Sequence, residues 1–122
     1  MIQLIIGCSP KPERIDLFNL KWEKVRNNPI IKPGNHRWDH EQIFVGSVLK
    51  QNEKYFMWYY GKNMKERTLQ IGLKESIDGI EWKDPTMMPV LTPGDKTEWD
   101  GTGVSKPCVK VENNVLKMWY IG

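Results

Sequence analysis

The chain has 122 residues, with 18 basic against 15 acidic side chains and a net charge of +3. That length allows one domain with a buried core. The balanced charge, with no Lys/Arg cluster interleaved with aromatics, argues against a nucleic-acid partner. Six Trp, eight Pro and ten Gly suit short strands and sharp turns better than helices.

The chain opens Met1-Ile2-Gln3-Leu4-Ile5-Ile6-Gly7-Cys8, an apolar run far too short to span a bilayer. Ile5-Ile6-Gly7-Cys8 resembles a bacterial lipobox, in which a small residue precedes the lipidated cysteine. It departs from one in having only seven residues before Cys8 and no basic stretch. Two readings stand side by side. One is a lipoprotein signal remnant, with membrane anchoring through Cys8 and a secreted, periplasmic or lipid-anchored bacterial protein. The other is an ordinary apolar strand in a cytoplasmic chain. Residues 1–17 are set apart as an N-terminal segment, with a polar linker at Lys11–Asp16. Cys8 and Cys108 make a poor disulfide framework, and Cys108 reads as a small buried side chain in an apolar strand.

Phe18–Val25 reads as a short strand around Trp22. Pro29 to Pro33 is extended, fixed at each end by proline, and residues 34–39 form a loop. Ile43–Lys50 is an apolar run that suits a strand buried on both faces, with a close neighbour at Gly46-Ser47. A polar turn at 51–54 joins it to Tyr55–Tyr60, an aromatic run without proline and hence a strand. The basic run Lys62–Arg67 reads as a solvated loop. Leu69–Ser76 is a third strand, and Asp78-Gly79 a hairpin turn into a fourth, outer strand at Ile80–Lys83. A linker follows, then strands at Val104–Val111 and Val115–Gly122 around a turn at 112–114.

These elements recur. Trp58 and Trp119 are 61 residues apart, as are Trp38 and Trp99, while Trp22 and Trp82 are 60 apart. Asn28-Pro29-Ile30-Ile31-Lys32-Pro33-Gly34 is answered by Met88-Pro89-Val90-Leu91-Thr92-Pro93-Gly94, and Trp38-Asp39 by Trp99-Asp100. Lys54–Gly61, with its Met57-Trp58-Tyr59-Tyr60-Gly61, returns as Met118-Trp119-Tyr120-Ile121-Gly122. A period of this size points to stacked structural units. Each unit is expected to be four antiparallel strands, the layout of a propeller blade. A β-sandwich is the alternative and explains the spacing poorly.

The pattern Asn-Pro-x-x-x-Pro-Gly, Trp-Asp, Met-Trp-Tyr-x-Gly, Ile71-Gly72, Ser76, Asp78-Gly79-Ile80 and Trp82 resembles the five-bladed β-propeller glycoside hydrolases. These are the arabinanase, levansucrase and invertase superfamily, including families 32, 43 and 130. The resemblance covers the chain from about residue 20 onward. It implies an all-β chain, residues 18–122 forming a partial five-bladed β-propeller. That amounts to about one complete four-stranded blade plus parts of two neighbours, the chain ending within a blade. It implies a glycosidase in a longer parent, either a hydrolase or a phosphorylase acting on poly- or oligosaccharides. The alternatives are a non-catalytic carbohydrate-binding propeller, or a partial propeller that self-assembles like a lectin through open strand edges.

Glycoside hydrolysis takes two carboxyl groups flanking the scissile bond. In the resembling fold these come from innermost strands and the loops leading into them. Asp39 and Glu41 before Ile43–Lys50, and Asp100 before Val104–Val111, are therefore the candidate catalytic residues. His40, Lys106 and Trp38 are candidate substrate-binding residues. An Asp after Trp in both copies also fits a structural carboxylate that caps a turn, whereas His40 and Glu41 do not recur. The family's inner-strand Asp-Pro is missing: the alignable positions are Gly46-Ser47 and Lys106-Pro107-Cys108. The Trp and Tyr side chains can stack on sugars, but their recurrence points first to packing between units. His36 and His40 lack zinc-type partners, and no phosphate loop or nucleotide fingerprint occurs. No metal and no cofactor is expected.

Overall fold

The computed structural model describes residues 18–36, 38–63 and 65–122. The Cys8 segment and the 11–16 linker lie outside them. Every named element among the described residues is a strand: β1 (Gln42–Gln51), β2 (Lys54–Lys62), β3 (Gln70–Ser76), β4 (Ser105–Glu112) and β5 (Val115–Ile121). They form an antiparallel sheet in the order β1-β2-β3 and a second antiparallel sheet, β4-β5.

The connections follow from local chemistry. Asn52 and Glu53 (φ 47° and 62°) turn β1 into β2, and Asn113 and Asn114 (φ 51° and 60°) turn β4 into β5. Two successive left-handed residues match the right-handed twist of a hairpin. After β3, Ser76 Oγ accepts from the Gly79 N–H (2.9 Å), and Asp78 Oδ1 accepts from the N–H groups of Ile80 and Glu81, both at 2.8 Å. Those bonds, that to Ile80 foremost, hold the Asp78 carboxyl below the usual carboxylate range. In the 62–67 loop, Asn63 is buried rather than solvated, its Oδ1 accepting from Glu66 N at 2.7 Å.

Two expected strands are absent. The fourth strand at Ile80–Lys83 shrinks to an isolated bridge between Glu75 and Lys83, and a second bridge joins Ile71 to Leu91. Pro85 and Pro89 lie between the two and lack the N–H that a continuous ladder needs. The first repeat unit therefore carries three strands, edged by two bridges on β3. Phe18–Val25 forms no strand, and Trp22 is 87% exposed. A lone extended segment has no ladder for its N–H and C=O groups, and none of the five strands pairs with this one.

The two sheets pack face to face. Side chains alternate along a strand, so Trp58, Phe56 and Tyr60 of β2 share one face with their cross-strand partners Ser47, Leu73 and Ile71. This face meets the second sheet. Trp58, Ile71, Val104 and Val109 form the core, with Leu49, Phe56, Tyr60, Leu73, Leu91, Met118 and Tyr120 around it. The inner strands touch closely. Ser47 Oγ accepts from Val109 N at 3.1 Å, and a Cβ on Gly46 would come within 2.5 Å of the Pro107 ring. Gly46 is thus small because another strand lies against it.

β1 is not buried on both faces. Val45 and Val48 stand on the opposite face, about half exposed, because the second sheet covers only one side. Cys108 is exposed, not buried. It is the cross-strand partner of Trp119 on the outward face of the second sheet, where none of the described residues covers it.

Candidate functional site

The recurring residues build the same small assembly twice. The far face of β2 presents Tyr59, whose hydroxyl donates to Asp39 Oδ2 at 2.7 Å. Trp38 stacks on its ring at 5.6 Å and 23°. In the second copy Tyr120 donates to Asp100 Oδ2 at 3.0 Å, and Trp99 lies 5.2 Å from its ring. Asp100 Oδ1 also accepts from Gly94 N at 3.2 Å. Each Trp-Asp pair thus ties its loop to a tyrosine twenty residues on. In the second copy the carboxylate caps a loop amide as well as a hydroxyl.

The glycines belong to the same assembly. A Cβ on Gly34 would lie 2.5 Å from Asp39 Oδ2, and one on Gly72 would lie 2.6 Å from both Trp38 and Tyr59. The two copies differ in burial, Trp38 being 7% exposed and Trp99 69%, and at one carboxylate oxygen. Asp39 is fully buried, yet its Oδ1 has no hydrogen-bond partner among the described residues. A buried acceptor left unpaired costs about 1–3 kcal/mol.

Burial first, then the hydrogen bond to Asp39, pushes the Tyr59 hydroxyl well above the ordinary tyrosine range. For Tyr120 the bond to Asp100 comes first and burial second, in the same direction. The sign of the consequence is definite. Unfolded Tyr59 loses its proton near pH 10, while the folded hydroxyl keeps it. Its stabilising contribution is therefore full below about pH 10 and falls as pH rises further. Tyr59→Phe should flatten the alkaline loss of stability, measured as urea midpoints between about pH 8 and 11.

The other candidates lie in different surroundings. His40 and Glu41 stand exposed just before β1, with His40 Nε2 3.4 Å from Glu41 Oε1. Lys106 is exposed in the irregular stretch of β4, with φ 50°. The structure groups Trp38 and Asp39 with Tyr59, and His40 with Glu41. Asp100 belongs to the second assembly, with Tyr120 and Gly94.

Sequence reasoning missed a buried charge cluster beside Tyr59. The Lys74 side chain is 7% exposed and forms an ion pair with Asp84. Its ammonium also lies 5.1 Å over the Tyr59 ring. His36 Nε2 approaches Asp84 Oδ2 at 3.3 Å, outside hydrogen-bonding geometry. The available signal was register. Lys74 is two residues from Gly72 and so shares the face that Trp38 and Tyr59 bury. Next to this cluster an open groove of about 520 Å³ is lined by Asn35, His36, Trp38, Gln70, Met87 and Thr92, among others. Amides, a hydroxyl and an imidazole beside apolar atoms suit a ligand rich in hydroxyl groups. No group of three or more His, Cys, Asp or Glu that could hold a metal occurs among the described residues.

No protein-family model matches this chain, and no curated protein does. A solved structure described as a glycoside hydrolase is similar to it, with a TM-score of 0.61 and 20% sequence identity. The likeness covers 81% of this chain and 27% of that one. The chain therefore shares a glycoside-hydrolase-like fold over most of its length and spans about a quarter of that structure.

Proposed function

We propose that residues 18–122 supply neighbouring blades of a glycoside-hydrolase-like β-propeller that binds poly- or oligosaccharides and acts on their glycosidic bonds. The observation that carries this is the fold likeness to a glycoside hydrolase across 81% of the chain. The doubled assembly supports the blade reading, because the same Trp-Asp-Tyr lock fixes the same loop to the same strand in both units.

Within this reading, the site lies where the chain enters β1. Glu41 is the carboxyl group for proton transfer, since it is exposed and occurs in one copy only. Asp39 is the second carboxylate of this reading: its Oδ1 is unpaired among the described residues, and because the residue is fully buried the loop before β1 has to open for a sugar to meet it. His40, Lys106 and Trp38 flank the sugar. Asp100 has both oxygens engaged by Tyr120 and Gly94, which ranks it below Asp39.

A second reading has its own support. The inner-strand positions hold Gly46-Ser47 and Lys106-Pro107 rather than a carboxylate. A carbohydrate-binding propeller without hydrolysis follows from that. Reducing-sugar release and calorimetric binding over an oligosaccharide panel separate the two. The catalytic reading expects Glu41→Gln to lower turnover by at least about 100-fold with binding retained, and Asp100→Asn to lose stability before activity. Binding without turnover in the unaltered protein favours the second reading. Neither binding nor turnover across the panel removes both.

A further inference from the structure

Aromatic pairs in this chain divide by whether the repeat keeps them. The Trp38–Tyr59 pair returns as Trp99–Tyr120, so the lock within each unit accounts for it. Phe44 and Tyr60 also stack, at 5.1 Å and 20°, but this pair does not return. Its place one period later is taken by the cross-strand pair Ser105 and Ile121. The second unit thus builds the same hairpin with no ring at either position, and strand pairing alone does not call for the Phe44–Tyr60 stack.

Phe44 stands in the seam between the two sheets. It shares the face of the first sheet that carries Ser47, Trp58 and Tyr60 and meets the second sheet. Trp58 is 8% exposed on that face because Val104 and Val109 lie on it, whereas Phe44 is 46% exposed. The path of β4 explains the difference. Gly46 lies against Pro107, and Ser47 against Val109, so the contacts advance together along β1 and β4. Stepping back along both strands sets Ser105–Lys106 opposite Phe44, where β4 is irregular and Lys106 has φ 50°. A serine there leaves the phenyl ring half open, while Tyr60 behind it packs against the core. Both walls of this seam are among the described residues.

We propose that the Phe44–Tyr60 stack is the platform on which the site holds a saccharide, one sugar ring lying against the Phe44 ring. A sugar ring carries C–H bonds on its faces, and these pack on the negative face of an aromatic ring. A phenyl side chain backed by a second ring is already rigid, so little rotamer freedom is lost on binding. The position also fits. Phe44 is three residues after Glu41 on β1, and Ser105–Lys106 of β4 faces it across the seam. It therefore stands between Glu41 and Lys106, two candidates that lie on different sheets. The inference rests on the carbohydrate reading above and holds for either form of it, hydrolysis or binding alone.

The test is isothermal titration of the full chain with hexasaccharides of arabinan, xylan, mannan and fructan. The unaltered chain should bind at least one of them. Phe44→Leu keeps the apolar bulk and removes the ring face, and should weaken that binding by at least about 10-fold, as loss of an aromatic anchor does. Phe44→Tyr keeps the face and should bind within about 3-fold of the unaltered chain. Urea midpoints of both variants should stay near that of the unaltered chain, since the position is half exposed. Phe44→Ile replaces Phe44→Leu if that variant loses its far-UV circular dichroism. Equal binding by the unaltered chain and Phe44→Leu overturns the platform and leaves the carbohydrate reading in place. Weaker binding that Phe44→Tyr does not restore, or that follows a matching fall in midpoint, also overturns it. An unaltered chain that binds none of the four overturns both.

Discussion

Trp58→Ala should destabilise the protein by about 3–5 kcal/mol, the range for truncating a buried Trp or Phe. The equivalent Trp119→Ala should cost no more than about 1 kcal/mol. The two residues hold the same place in their strands and face the same way. They differ in what lies on them. Val104 and Val109 bury Trp58, whereas Trp119 is 51% exposed among the described residues. Urea midpoints for the two variants check the contrast. A domain of this size has only about 5–15 kcal/mol of total stability, so Trp58→Ala should sit close to unfolding. Equal losses at the two positions would mean that the second sheet does not cover the first.

Gly72→Val should be comparably damaging, at about 3 kcal/mol or more, by the opposite mechanism. Overpacking alone costs about 1–3 kcal/mol. A Cβ at residue 72 meets Trp38 and Tyr59 ring atoms at 2.6 Å, and neither ring has room to retreat. Trp38 is held by its Nε1 donating to Met87 O at 3.2 Å, and Tyr59 by Asp39. Breaking their stack also leaves the Asp39–Tyr59 pair misplaced in a buried site, adding the penalty of an unpaired polar group. Gly79→Ala is the control. Gly79 has φ 76°, and its Cβ would meet the Tyr55 ring at 3.8 Å, an ordinary contact distance, so only backbone strain of about 1 kcal/mol applies. Thermal midpoints for the two glycine variants, with near-ultraviolet circular dichroism reporting the Trp38–Tyr59 stack, separate crowding from backbone strain.

These contrasts also explain what the sequence disclosed. The repeat was legible because the Trp-Asp-Tyr assembly needs fixed residue types at fixed spacing. A stacked indole, a carboxylate and a tyrosine hydroxyl twenty residues on cannot be exchanged piecemeal. All five strands were legible for a similar reason, since aromatic and β-branched runs ended at turn residues. The outer strand at Ile80–Lys83 misled because its apolar pattern is right, while Pro85 and Pro89 cut the ladder down to two bridges. Phe18–Val25 misled because a strand exists only with a partner, and sequence does not say whether one is there. β1 looked doubly buried because Val45 and Val48 are apolar, yet what covers a face is settled by neighbours. Cys108 was misjudged on the same ground. Lys74 escaped notice because a lysine in an alternating strand normally faces water. Its burial follows only once β2 and β3 are in register. For the site, the unrepeated His40 and Glu41 stood out from the sequence, whereas the unpaired oxygen of Asp39 is visible only in three dimensions.

The central claim is that two successive units of the repeat stack so that the second covers the indole of the first. Fluorine NMR of the 5-fluorotryptophan-labelled chain tests it most directly, with Trp58→Phe and Trp119→Phe variants for assignment. The account predicts a Trp58 resonance that does not respond to solvent isotope or to a soluble paramagnet, and a Trp119 resonance that responds to both. Two resonances with the same solvent response would contradict it.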